Sequence, residues 1–161
     1  MNAFLDAVGN TPLSLFLQKN VDWLIPLIQS VHILALSVVF VSAAVVDLRI
    51  LGVVGRRQPL RATSRRFLPW VGWGVAILLV TGLLLMTAEP HRALLNPLFQ
   101  IKMAALILVC LMTWAIAASA KAGDTAWEGI ERRGAAKPLA IASLLLWAAI
   151  IALGRWIAYG P

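Results

Sequence analysis

Residues 22–52 read DWLIPLIQSVHILALSVVFVSAAVVDLRILG, with no formal charge between Asp22 and Asp47. A bilayer core takes about 20 consecutive apolar residues per α-helix, so this run is long enough to cross one. Its exception is His32, an imidazole placed where water is scarce.

Working outward from this stretch, three further apolar runs of similar length follow. The four spans are predicted at about 23–46, 67–87, 98–119 and 138–158. The 161 residues are 61% hydrophobic and 13% charged, with mean hydropathy +0.86, well outside the usual range of a soluble domain. The expected fold is all-α, an integral membrane four-helix bundle forming a single membrane domain over 1–161.

The start, MNAFLDAVG, is acidic where a secretory signal is basic, and its apolar stretch is short. It is therefore expected to stay attached. Asn2 and Gly9 bracket one short helix; Thr11 followed by Pro12 gives an N-cap and a first-turn proline for a second. These helices, within 2–18, are expected to lie in the interface plane, with Phe4, Leu5, Leu13, Phe16 and Leu17 toward lipid or bundle.

The first connection carries Arg49, Arg56, Arg57, Arg61, Arg65 and Arg66, and the third carries Lys121, Arg132, Arg133 and Lys137. The other side has only Lys19, Arg92 and Arg155. By the positive-inside rule, loops 47–66 and 120–137 are cytoplasmic and both termini lie outside. That placement accounts for the net charge of +7 without nucleic acid. Orientation explains the run GRRQPLRATSRR, which also suits anionic lipid or a cytoplasmic partner.

Ionisable side chains inside a span cost about 3 kcal/mol on insertion scales, which makes each a functional candidate. His32 lies nine residues after Trp23, about 13 Å below the outer interface at 1.5 Å per residue. Its helical face holds Ala35, Val39, Ser42 and Val46, which leaves room beside the ring. Either a neighbouring helix accepts a hydrogen bond there, or the imidazole ligates a metal, for which it is the commonest protein ligand. In a membrane four-helix bundle the expected metal is haem iron.

Lys102 follows the helix start NPLFQIK, one turn inside the third span. Its stem either snorkels to the headgroups or turns inward to meet an anion such as a haem propionate. Asp47 closes the first span beside Arg49, and pairing with a nearby arginine is the expected compensation. His91 belongs to the outer connection, and Cys110 is alone and read as packing. Gly72, Gly74 and Gly82, with Thr81, are expected to give close contacts in the second span. Trp23, Trp70, Trp114 and Trp156 mark span ends, while Trp147 falls mid-span. Phosphate-binding loops, nucleophile elbows and HExxH are absent from the sequence, leaving no foothold for nucleotide or hydrolytic chemistry.

VHILALSVVFVSAAVVDLRILG, LLVTGLLLM and NPLFQIKMAALILV together resemble a group of small bacterial four-helix membrane proteins without assigned function. They are similar, more distantly, to the haem-binding four-helix protoporphyrinogen oxidases and the copper-resistance D membrane family. The resemblance covers roughly residues 31–111. It implies a bacterial cytoplasmic membrane location, His32 as the haem-ligating position and Lys102 as the family's lysine. The oxidase pattern places a histidine two residues before that lysine, where this chain has Gln100. That departure counts against the oxidase activity itself.

The expected function is binding of b-type haem (haem b) through His32, with Lys102 and Gln100 toward the propionates and Ser42 on the ligand's face. A second axial ligand would come from Met112, from no residue, or from His32 of a second copy in a homo-oligomer. Electron transfer with a redox partner protein or quinone follows from this reading. Two alternatives stand beside it: copper handling through His32, Met86 and Met103, and a non-catalytic scaffold subunit.

Overall fold

The computed structural model describes residues 2–55, 60–88, 90, 94–122, 134 and 136–159. Six helices are present among them: α1 Asn2–Gly9, α2 Pro12–Lys19, α3 Val21–Ile50, α4 Leu60–Ala88, α5 Pro97–Ala122 and α6 Ala136–Tyr159. The last four are long and apolar enough to cross a membrane. Their outward faces carry Leu34, Trp73, Leu145 and Trp156, all well exposed, as lipid contact requires. This is an all-α membrane protein built on four long helices.

The ends of the elements follow local chemistry. Thr11 caps α2 by accepting the Ser14 amide at 3.3 Å, with Pro12 at the first turn. Ser14, fully buried, donates to the Thr87 carbonyl at 2.6 Å and ties α2 to the end of α4. Leu13 and Phe16 are exposed, whereas Leu17 is buried against the bundle. At α5, Asn96 Oδ1 accepts the Leu98 amide at 2.9 Å.

The helix α3 stops in a Schellman turn. Gly52, at φ 74, donates to Arg49 O at 3.1 Å and Val53 donates to Leu48 O at 2.9 Å. The helix α4 resumes at Leu60, so the segment expected as a loop over 47–66 is largely helical at both ends. Its arginine-bearing first turns continue the helix, and hydropathy registers only the apolar part.

The most extensive packing is α3 against α4, then α5 against α6, with α6 returning to α3. The core draws Ala35, Val39 and Ala43 from α3, Val71 and Leu78 from α4, Val109 from α5, and Trp147 and Ile150 from α6. Trp147 is therefore a core residue, 0% exposed. Gly74 allows α3 and α4 to approach closely, because a methyl group there would collide with Val39 Cγ2. Gly72 meets nothing within 4 Å and is exposed, so the expected close contact at that position does not form.

Candidate functional site

The antiparallel register of α3 and α4 that sets Gly74 on Val39 also sets Thr81 opposite His32. His32 Nδ1 lies 2.7 Å from Thr81 Oγ1, and Thr81 Oγ1 in turn donates to Ile77 O at 2.7 Å. A threonine hydroxyl has one proton. With that proton on the Ile77 carbonyl, Nδ1 must supply the hydrogen to Oγ1. In that arrangement the imidazole is its Nδ1–H tautomer, and Nε2 keeps a lone pair. Gly82 lies beside the ring: a Cβ at that position would sit 3.6 Å from His32 Cε1.

Lys102 of α5 reaches the same region from the other helix pair. Its ammonium is 3.4 Å from where a Cβ on Gly154 of α6 would be, so the glycine makes space for it. Its charge acts electrostatically on the His32 imidazole. A half-buried imidazole with one nitrogen engaged by Thr81, and a cation within electrostatic range, can bind a metal centre or an anionic group.

The sequence-predicted residues do not all converge there. Lys102 comes within electrostatic range of His32. Gln100 is exposed, and its amide nitrogen donates to Leu94 O at 3.2 Å. Met112 is ten residues beyond Lys102 on α5, about 15 Å along the axis. Ser42 is ten residues beyond His32 on α3 and is 5% exposed. His91 falls outside the described residues.

A second polar centre occupies the opposite half of the bundle. Asp47, 2% exposed, accepts a hydrogen bond from the Ser143 hydroxyl of α6. This partner was not expected from the sequence, which pointed to an arginine. Its Oδ2, Ser64 Oγ and Trp147 Nε1 are all buried and have no hydrogen-bond partner among the described residues. The α3–α4 register brings Ser64 to the level of Asp47, and Trp147 lies one turn from Ser143 on α6.

Over residues 16–160 the chain matches the family model DUF6644, a family of unknown function. The chain belongs to that family. No curated protein and no solved structure matches this DUF6644 protein. These matches lend no support to the resemblance to protoporphyrinogen oxidases or copper-resistance D proteins. Among the described residues of the DUF6644 chain there is no group of three or more His, Cys, Asp or Glu able to hold a metal ion.

Four residues central to these sites, Thr81, Ser143, Ser64 and Gly154, were not assigned those roles from sequence. The available signal was weak, a hydroxyl or glycine within an apolar span.

Proposed function

We propose that this DUF6644 protein binds b-type haem through Nε2 of His32 and serves as an electron-transfer or redox subunit of the bacterial cytoplasmic membrane. The observation that carries the reading is the His32–Thr81 hydrogen bond, which engages Nδ1 and leaves Nε2 for a ligand when Nδ1 is the donor. Metal-ligating histidines characteristically donate their other ring N–H in this way.

The ligand count favours haem over a bare copper ion. A porphyrin brings its own four nitrogens, so one protein imidazole suffices, and bound iron supplies one-electron redox chemistry. Copper would need several side chains gathered at one point. Gly82 leaves the flank of the imidazole open, and Lys102 offers a cation for a propionate. A second protein ligand, if one is used, would come from Met112 or from His32 of a second copy. The arginine-bearing end of the bundle faces the cytoplasm in this reading, with both termini outside.

The same contact favours a second reading, in which His32 serves only to lock α3 to α4 within a scaffold subunit. Protein purified in mild detergent distinguishes the two. A Soret band that shifts on dithionite reduction and is diminished in His32→Ala is the expected result. Colourless, metal-free protein after growth with added porphyrin precursor would leave the scaffold, and colourless protein carrying copper would move the function to copper handling.

A further inference from the structure

We propose that the groove between α3 and α4 is an anionic phospholipid site, holding one acyl chain against the bundle and the headgroup phosphate on Arg65 and Arg66. The proposal is independent of haem.

The groove has a volume of about 380 Å³ and is lined by Ser37, Val38, Val41 and Ser42 of α3 and Phe67 and Trp70 of α4. That lies within the range of sites that bury a small ligand. Its polar wall atoms are withdrawn: Ser37 Oγ donates to Ile33 O at 2.9 Å, and Ser42 is buried. Val41 and Trp70 remain exposed along it, 55% and 60%. A slot with apolar walls on the membrane-facing surface takes hydrocarbon.

The mouth of the groove is cationic. The Arg66 guanidinium sits 5.8 Å from the centroid of the Phe67 ring, which is itself part of the wall. Arg65 precedes it, and both arginines are exposed in the first turns of the α4 span, which begins at Ala62. Asp47, the described acid at this end, is buried on Ser143 and offers these cations no exposed carboxylate. A guanidinium at the wall of a hydrocarbon slot, with a second exposed arginine next to it in sequence, matches a lipid with one negative head and apolar chains. A neutral quinone would leave both charges unused. A second copy would present the same cationic surface to itself.

Native mass spectrometry of the protein released from mild detergent tests this, with phosphatidylglycerol and phosphatidylcholine of identical chains supplied in equal amounts. Phosphatidylglycerol adducts are expected to dominate. Arg65→Gln and Arg66→Gln should each weaken retention by about fivefold, in line with the attraction of one basic residue near an anionic surface. Val41→Phe, which fills the slot without changing charge, should also lower retention. Equal retention of the two lipids, or undiminished phosphatidylglycerol binding in the double arginine variant, overturns the headgroup site. Should Val41→Phe fail to fold, fluorescence decides the groove. One equivalent of phosphatidylglycerol with brominated chains should quench the parent protein more strongly than Trp70→Phe, which keeps the other six tryptophans, and an equal loss of intensity in both overturns the placement.

Discussion

His32 and Thr81 meet across the α3–α4 seam at 2.7 Å, and the threonine hydroxyl also lies 2.7 Å from the Ile77 carbonyl. The contact thus does two things. It joins two membrane helices, and it engages Nδ1 of the imidazole rather than Nε2.

Those two consequences separate in Thr81→Val. Interhelical hydrogen bonds in membranes contribute only about 0.6 kcal/mol on average, so the unfolding midpoint in detergent should move little. Loss of an outer-shell partner typically weakens metal binding by about 10- to 100-fold. Haem titrated into Thr81→Val should accordingly bind about 10- to 100-fold more weakly than into the parent, while Thr81→Ser retains affinity. Equal haem affinity in parent and Thr81→Val would detach the threonine from the site.

The neighbouring glycines give a steric prediction with its own control. A methyl group at Gly74 runs into Val39 Cγ2 and approaches Ala35 O to 3.5 Å, whereas one at Gly72 meets nothing. Overpacking a close contact costs about 1–3 kcal/mol. Gly74→Ala should therefore destabilise by that amount and Gly72→Ala should not. Adding Val39→Ala to Gly74→Ala removes the colliding methyl and should recover part of the loss. Reversible unfolding in mixed micelles reads all three.

The buried polar centre on the other half of the bundle predicts an asymmetry between its members. Ser143→Ala takes away the donor to a carboxylate that is 2% exposed, and an orphaned buried acceptor costs about 1–3 kcal/mol. Trp147 presents the opposite case, because its indole N–H has no partner among the described residues. Trp147→Phe gives up no hydrogen bond and keeps most of the ring, whereas Trp147→Ala opens a cavity costing about 3–5 kcal/mol. Thermal unfolding should rank the phenylalanine variant close to the parent and the alanine variant far below it.

The topology was legible because a bilayer requires long apolar runs, and four such runs cannot be confused with anything else at this length. Helix ends were less legible. The α4 helix starts at Leu60 rather than near Phe67 because arginine-rich turns are helical without being apolar. His32 and Lys102 stood out as ionisable groups in lipid, but their partners did not. Thr81, Ser143 and Ser64 look like ordinary hydroxyls in apolar helices, and each becomes significant only through the register of one helix against another. Single-helix periodicity carries no such information. It likewise could not tell Gly74, pressed on Val39, from Gly72 two residues away, which faces outward.

The position of Lys102 gives the sharpest test of the redox reading. Its ammonium rests against Gly154 and acts on the His32 imidazole. Were haem held on His32, a nearby cation would favour the form of the iron with less positive charge, the reduced one. Removing it in Lys102→Met should lower the reduction potential, by on the order of 60 mV, the equivalent of a tenfold change for one electron. Lys102→Arg should hold the potential near that of the parent, because the charge remains. Because the site lies within the membrane span, salt screens it weakly, and the difference should survive high ionic strength. Spectroelectrochemical titration of the two variants measures this directly; identical midpoints in Lys102→Met and the parent would show that the lysine does not sense the iron.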